Sequence, residues 1–491
     1  MNKVGICYFR SLYSQSACSL TMGKFSDYLL NRGYNTNLFL LKNDDHVSLI
    51  KQYNEIMGND IIIYKVNYKD FEYGIKLFKE LLKNSSKKFY LTGPFAIMNK
   101  ERILKKYSFI DGIINTQNKN EVDSIFKDLG VKKTKPSIIC GIDREIEIQE
   151  KGHYINLEAS TGCIYNCAFC HIKLMDYEKT EKNIELVVEE MEQLYKKLGK
   201  KYFIFNDSVF WKNSKDNARI EKFIKLLKEK NMNIYFMIYL SLTIKIDKEL
   251  LKQLRDVGLI RVFFGVENIS SSFSTQNNKY ISGNDTEEFI SLLEKLNISY
   301  HIGFMLLSKE THYNEIQENL DFLHKIKKLF RPGMLVEKMR ILPDSKLSIS
   351  LYEDDSKIDQ AYNYIMDEEK VEKYYHIIND LFSNINIRNF EQFFSGIKIA
   401  LTILKRENKL NGYKDLETEY IEVLNIINDS VYDILTKELK KLKIDNNDIE
   451  KIKDIYSIAE ANYIKFMNYL KQNDLDIYET IPHGTEALNI W

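Results

Sequence analysis

Short apolar runs alternate with amphipathic helical patterns over residues 1 to about 345 of this 491-residue chain, and then the strand signals stop. Alternation of this kind predicts parallel sheets, because a parallel neighbour needs a crossover long enough to hold a helix. The first series fills residues 1–145. Its strand candidates are Val4–Tyr8, Asn37–Leu41, Ile61–Lys65, Phe89–Thr92 and Gly112–Asn115. Between them lie helical patterns at Thr21–Arg32, Val47–Met57, Phe71–Leu82, Asn99–Lys106 and Asn120–Leu129. Five such units predict an α/β domain with helices on both faces of one sheet. Ligands of such sheets sit beyond the carboxyl ends of the strands, here at the loops Phe9–Leu20, Val66–Asp70, Gly93–Ala96 and Thr116–Lys119.

Lys132 to Ile148 is polar and broken by Lys135-Pro136, as a linker would be. A second series follows over 146–345. Its strand candidates are Tyr154–Leu157, Tyr202–Asn206, Ile234–Tyr239, Arg261–Gly265, Tyr300–Phe304 and Leu335–Arg340. The helix candidates are Ile184–Leu198, Ala218–Lys230, Lys248–Val257, Glu287–Leu296 and Asn314–Lys327, each with one apolar stripe such as Ile184, Val187, Val188 and Met191. Six units predict an incomplete (β/α)6 barrel, with chemistry at the strand C-termini. Residues 346–491 read as a third, α-helical domain, with long charged helices such as Val371–Phe382 and Ile397–Arg406 and a tail from Ile481 to Trp491.

Half of the six cysteines fall in one Cys-x3-Cys-x2-Cys run, Cys163, Cys167 and Cys170. Chance gives that spacing on the order of one time in a thousand at this cysteine count. Three thiolates can hold three irons of a 4Fe–4S cluster, which normally takes four. The missing fourth ligand leaves an open position, the mark of a catalytic metal site. A zinc site completed by His171 is the plain alternative. Cys7, Cys18 and Cys140 are widely spaced and read as ordinary thiols.

Lys plus Arg and Asp plus Glu balance at 70 each, so no basic excess points to nucleic acid. No apolar stretch approaches the roughly 18 residues that span a bilayer. Met1-Asn-Lys leads into an apolar run, Val4–Phe9, too short for a secretory core. An oxygen-sensitive cluster with reduced thiols fits a cytoplasmic location without membrane attachment.

The stretch from Glu158 to Cys170, EASTGCIYNCAFC, resembles the cluster loop of the radical S-adenosylmethionine superfamily, with Phe169 at the aromatic position before the last cysteine. The resemblance implies that S-adenosylmethionine chelates the open iron. An electron from a donor such as flavodoxin or ferredoxin would then split it into methionine and a 5′-deoxyadenosyl radical. Phe205-Asn206-Asp207-Ser208 resembles a turn of superfamily members that carry a cobalamin-type N-terminal domain, so Asn206 or Asp207 would hold the methionine amino group. A helix N-cap is the bland reading of that turn. Phe264-Gly265-Val266-Glu267-Asn268 resembles the Gly-x-Glu-Ser turn, which gives Glu267 the ribose hydroxyls or the amine; Asn268 departs from the usual Ser. His301 to Ser308 resembles the strand that packs on adenine, with Gly303 allowing close approach. Ile341 to Lys346 departs from the family's Pro-Gly-Thr-like turn, and Arg340 and Asp344 are weak substrate-contact candidates.

The first domain resembles a Rossmann-like, cobalamin-binding domain in the order and length of its units. Gly93-Pro94 stands at its Gly-Gly turn, and Asp111 to Glu121 stands at its acidic turn without the usual glycines. The Asp-x-His-x-x-Gly signature is absent, so bound cobalamin would meet a side chain near Asn67 or Tyr68, or water. The resemblance implies cobalamin-dependent methylation of an unactivated carbon. Without cobalamin it implies rearrangement, cyclisation, epimerisation or carbon–sulfur bond formation. A non-catalytic iron–sulfur sensor or electron carrier is the rival from another class. The substrate, small molecule or peptide, is not legible.

Overall fold

The computed structural model describes residues 3–9, 19–41, 46–149, 154–170, 172, 180–243, 245–343, 345, 347–348, 358, 361–407 and 414–472. Side chains of 46–51, 147, 149, 154, 388–390, 392 and 414 lie outside that description.

The first domain forms as the alternation predicts. Strands β1 (Lys3–Phe9), β2 (Asn35–Leu41), β3 (Ile61–Lys65), β4 (Lys88–Thr92) and β5 (Gly112–Ile113) form one parallel sheet in the order β2-β1-β3-β4-β5. Successive strand side chains point to opposite faces, and β1 obeys: Val4, Ile6 and Tyr8 enter one core, Cys7 and Phe9 the other. The crossover helices are α1 (Leu20–Asn31), α2 (His46–Met57) and α3 (Phe71–Leu81), then α4 (Pro94–Met98) with α5 (Lys100–Lys106), and α6 (Lys119–Ile125) closes the series. Where one helix was expected from Asn99, the short α4 precedes it, started by Pro94 at its first position.

The expected linker is built rather than loose. It carries a hairpin of β6 (Ile138–Ile139) and β7 (Ile142–Asp143), then α7 (Glu145–Gln149). Asp143, fully buried, accepts from Ser26 Oγ on α1 at 2.7 Å and from Ser137 Oγ at 2.7 Å. Gly23 permits that approach, since a Cβ there would lie 2.7 Å from the Asp143 carbonyl. Arg144, also buried, reaches into the second domain to Glu190 at 2.5 Å and the Asn156 carbonyl at 3.0 Å. Polar composition suggests exposure, but here Asp143 and Arg144 are paired and buried.

The second sheet is parallel in the order β12-β11-β10-β9-β8, with β8 Tyr154–Leu157, β9 Tyr202–Phe205, β10 Tyr235–Leu240, β11 Leu259–Glu267 and β12 Ser299–Phe304. Helices α8 (Ile184–Leu198), α9 (Asn217–Lys230), α10 (Lys248–Asp256), α12 (Gly283–Lys295) and α13 (Tyr313–Lys325) follow the strands; α11 (Ser271–Asn277) is inserted after β11. Their starts follow capping rules: Asn183, Asp247 and Ser282 side chains accept first-turn amides. Gly199 ends α8 in the left-handed region. The sixth strand expected at Leu335–Arg340 is reduced to one parallel bridge, Leu307 with Lys338, preceded by the helical turn α14 (Gly333–Val336). Pro332 at the N-cap position favours that turn over an extended start.

Helices α15 (Glu369–Phe382), α16 (Ile387–Glu407), α17 (Lys414–Lys441) and α18 (Asn446–Gln472) make the third region, and their apolar stripes join the barrel's core, with α16 against β11 and β12. No helix among the described residues is long and apolar enough to cross a membrane.

Candidate active site

The loop holding Cys163, Cys167 and Cys170 leaves the end of β8 and is stapled at its base. Thr161 donates its amide to the Thr180 carbonyl at 2.9 Å, the two threonine hydroxyls meet at 2.7 Å, and Lys182 donates to the Ala159 carbonyl at 2.9 Å. Its far end leans on α11: Ala168 N–H donates to the Asn277 carbonyl at 3.1 Å, and the Phe169 ring lies 6.2 Å from that of Phe273. The three cysteines are unpaired and half-buried. Burial pushes the Cys170 thiol up to about 11 and raises that of Cys167; Lys279 opposes the rise at Cys167 and Glu267 adds to it. Among the described residues no three His, Cys, Asp or Glu side chains converge on one ion, and His171, which the zinc alternative needs, lies outside them. Three thiols on one loop with no fourth suit a cluster ligated at three irons.

Asp207 is buried just past β9, and both of its oxygens are occupied. One accepts from the Ala159 amide at 2.9 Å, the other from the Ser160 hydroxyl at 2.6 Å. The structure thus places it under the start of the cysteine loop, pinning it to the sheet, rather than facing open space. Desolvation raises its carboxyl to about 6 despite the two hydrogen bonds. Asn206 differs: its backbone amide is tied to the Leu157 carbonyl at 2.8 Å, while its buried Oδ1 has no hydrogen-bond partner. An unmatched acceptor at a strand end suits a ligand donor such as an amino group.

Glu267 ends β11 at φ +68°, beyond a break in strand register between Gly265 and Glu267. A bulge re-aims a side chain, and here it turns the carboxylate inward. Oε1 occupies the space a Cβ on Gly265 would fill, and Oε2 lies 3.5 Å from the Cβ position of Gly303. Both glycines therefore face the barrel interior, and a side chain at 265 would displace Glu267. Burial raises the Glu267 carboxyl, and Lys279 opposes the rise. Neither oxygen has a hydrogen bond among the described residues.

Lys279 was not anticipated. Set just after α11, it acts electrostatically on both Glu267 and Cys167, which joins the two halves of the site. One signal in the sequence could have found it: no other Lys or Arg lies between Arg261 and Lys295. The structure thus brings Cys163, Cys167, Cys170, Phe169, Glu267 and Gly303 to one end of the barrel, with Asn206 and Asp207 at a neighbouring strand end.

The N-terminal candidates lie at the carboxyl edge of the other sheet. Gly93 has φ +103°, and a Cβ there would sit 2.8 Å from the Val66 carbonyl, so the chain's own backbone requires glycine. Asn67 is committed to a local cap with Asp70, donating its amide at 2.9 Å and its Nδ2 at 3.1 Å. Tyr68 is 42% exposed and leans on Phe95, with ring centroids 5.6 Å apart. Lys69 lies in electrostatic reach of Arg340 and Glu337, beyond β12. Gln117 and Asn118 shape an Asn-capped turn into α6 in place of the missing glycines. The loop 10–18, Cys18 and Asp344 lie outside the described residues.

Known proteins share parts of this chain's sequence and fold. Residues 157–323 match the family model of the Radical SAM superfamily. The chain is 29% identical over 115 residues to ribosomal protein uS12 methylthiotransferase RimO from Sulfurihydrogenibium, covering 23% of this chain and 24% of that protein. It is 28% identical over 222 residues to the anaerobic magnesium-protoporphyrin IX monomethyl ester cyclase of Cereibacter sphaeroides, covering 43% of this chain and 34% of that one. The chain thus spans only about a quarter to a third of the length of these relatives. In fold it is similar to the cobalamin-dependent S-adenosylmethionine radical enzyme OxsB, solved with aqua-cobalamin, at TM-score 0.66 and 13% identity over 99% of this chain and 84% of that one. It is also similar to the radical S-adenosylmethionine methyltransferase TsrM from Kitasatospora setae, solved with cobalamin and a 4Fe–4S cluster, at TM-score 0.52 and 14% identity over 66% of this chain and 70% of that one. The three-cysteine loop at the mouth of the partial barrel thus lies within residues 157–323, the stretch that matches the Radical SAM superfamily.

Proposed function

We propose that Cys163, Cys167 and Cys170 hold a 4Fe–4S cluster and that S-adenosylmethionine binds beside it, against Glu267, Asn206 and Lys279. The observation that carries this reading is the inward Glu267 carboxylate, free of hydrogen bonds between Gly265 and Gly303, in electrostatic reach of the cysteine loop. When bound, the pair supplies reductive cleavage of the sulfonium and a radical able to take hydrogen from an unactivated carbon. The chain's own groups position it: Glu267 accepts hydroxyl or amine donors, Lys279 faces a carboxylate, and Asn206 Oδ1 accepts from the amine. Asp207 fixes the loop that carries the cysteines. An external one-electron donor such as a flavodoxin or ferredoxin completes the electron balance. Anaerobically reconstituted protein given dithionite and S-adenosylmethionine is expected to release 5′-deoxyadenosine and methionine; a cluster-bearing protein that releases neither would overturn the reading.

For the finer outcome we propose cobalamin-dependent methyl transfer to carbon. Likeness to OxsB over almost the whole chain supports it, as does the β2-β1-β3-β4-β5 sheet, whose Lys69 lies in electrostatic reach of Arg340 and Glu337 beyond β12. Tyr68 is an exposed aromatic side chain at the described edge. A cobalamin-independent radical outcome is favoured by one observation: Gly93 serves Val66, and the 116–118 turn carries side chains where glycines would admit a corrin. Purification from cobalamin-replete medium, followed by visible spectroscopy and mass analysis, separates the two. Stoichiometric corrin supports methyl transfer; its absence with 5′-deoxyadenosine still formed supports the other.

A further inference from the structure

Below the Glu267 layer, the barrel interior holds a cationic layer that neither the cysteine loop nor the adenosyl contacts use. His301, 2% exposed on β12, lies between two guanidinium groups: Arg331 Nη2 is 2.7 Å from its Nε2 and Arg261 Nη2 is 3.2 Å from its Nδ1. Burial and the two cations hold the ring neutral. A neutral imidazole accepts at one nitrogen only, and the shorter contact assigns that acceptor to Nε2, facing Arg331. Arg331 is itself fixed: it donates to the Ile302 carbonyl at 2.9 Å and lies 3.8 Å from Glu391 of α16, which accepts the Gly333 amide at 2.9 Å.

The clamped ring has one neighbour of consequence. Phe263 stacks on it with centroids 5.2 Å apart and planes 27° apart, and meets Tyr239 at 5.0 Å on its other side. Phe263 Cζ comes within 3.3 Å of the Cβ position of Gly303, the same glycine that faces the Glu267 carboxylate. Along β11 after Arg261, Phe263 and Glu267 are the half-exposed positions in an otherwise buried strand, so both line the opening inside the barrel.

We propose that His301 is a positioning residue of the adenosyl pocket: clamped by Arg331, it sets Phe263 as the floor beneath Glu267 and its ligand. The proposal rests on the S-adenosylmethionine reading above. It connects the C-terminal helix α16, through Glu391 and Arg331, to the floor of that pocket.

A double-mutant cycle on S-adenosylmethionine affinity, measured by equilibrium dialysis with cluster-loaded protein, tests it. Phe263→Ala and His301→Ala are each expected to weaken binding about 3- to 10-fold, the worth of one aromatic contact, with iron content unchanged. The double variant is expected to match the weaker single one, because His301 acts through Phe263. His301→Gln, whose carbonyl can still accept from Arg331, is expected to recover most of the affinity. Additive losses, or unchanged affinity in folded His301→Ala, would overturn the proposal. If His301→Ala does not fold, Phe263→Ala decides, and wild-type affinity there overturns it. Cluster-loaded wild-type protein that binds no S-adenosylmethionine would sink the pocket reading instead, so the two failures are distinguishable.

Discussion

The carboxylate of Glu267 lies over Gly265 of the same strand, in the volume a side chain at 265 would need. Glu267 adopts φ +68° to reach it, a left-handed conformation that costs a non-glycine residue about 1–3 kcal/mol. Such strain persists only where the surroundings impose it, and here the register break beside Gly265 does so. The turn at the end of β11 therefore stores energy in order to aim one acidic group inward.

Gly265→Ala is accordingly expected to behave like Glu267→Ala although it removes no polar atom. The new methyl collides with Oε1 and expels the carboxylate. Losing hydrogen bonds to a charged group costs roughly 1.5–3 kcal/mol, or about 10- to 150-fold in affinity. Equilibrium dialysis should show that loss of S-adenosylmethionine binding in both variants, with iron per chain at the wild-type level. Wild-type binding in Gly265→Ala would mean the carboxylate is not needed where it lies.

Replacing Cys163, Cys167 and Cys170 by Ala is expected to abolish iron incorporation, about four irons and four sulfides per chain for a 4Fe–4S cluster. Single replacements of Cys7, Cys18 or Cys140 should leave iron content unchanged. Cys7 is fully buried within β1, its thiol raised by desolvation, and serves as a small apolar side chain there. Iron and acid-labile sulfide analysis after anaerobic reconstitution checks both halves of the expectation.

Much of this was legible in the sequence, and what was not has a physical pattern. Strands such as Ile61–Lys65 and Tyr154–Leu157 keep their expected limits because a buried parallel strand needs one unbroken apolar run. The spacing of Cys163, Cys167 and Cys170 is legible because it is local. Long-range pairing was not readable. The segment around Asp143 and Arg144 looks like a polar linker until Ser26 and Glu190, distant in sequence, are seen to neutralise it. Residue type alone offers Asp207 to a ligand, while in the fold the Ala159 amide and the Ser160 hydroxyl take both of its oxygens. A glycine at 93 suggests cofactor approach, but the neighbour it makes room for is Val66.

Asp207 gives a pH dependence with a definite sign. Its folded carboxyl titrates near 6, above its ordinary 3.8, so between those values the folded chain binds more protons than the unfolded one. Stability contributed by this group is therefore full below about 4 and is lost as pH rises through 6, by about 3 kcal/mol at most. Asp207→Asn keeps an acceptor for Ala159 and a donor for Ser160, so it should remove this slope without unpinning the loop. Chemical denaturation of ligand-free protein between pH 4 and 7 reads the difference. Equal slopes in the two proteins would show that the carboxyl is not perturbed.

Glu438 poses the same question in the C-terminal helices. It is fully buried on α17 against Asp448 of α18, which is also fully buried. Lys437 Nζ meets Asp448 at 2.6 Å and Asp445 at 2.8 Å, and stands 3.8 Å from Glu438. Lys451 holds the other Asp448 oxygen at 3.1 Å, and Tyr374 of α15 faces the pair. One ammonium close to three carboxyl groups favours a proton shared between Glu438 and Asp448, and burial with the Asp448 neighbour raises Glu438 to about 7. A raised acid is stabilising while protonated, so its contribution is full below its ordinary 4.5 and is lost as pH climbs through 7. Glu438→Gln mimics the protonated form permanently. It is expected to match wild type in thermal unfolding at pH 4 and to exceed it at pH 8. A lower midpoint than wild type at pH 8 would instead mean that Glu438 is ionised in the folded protein and held by Lys437.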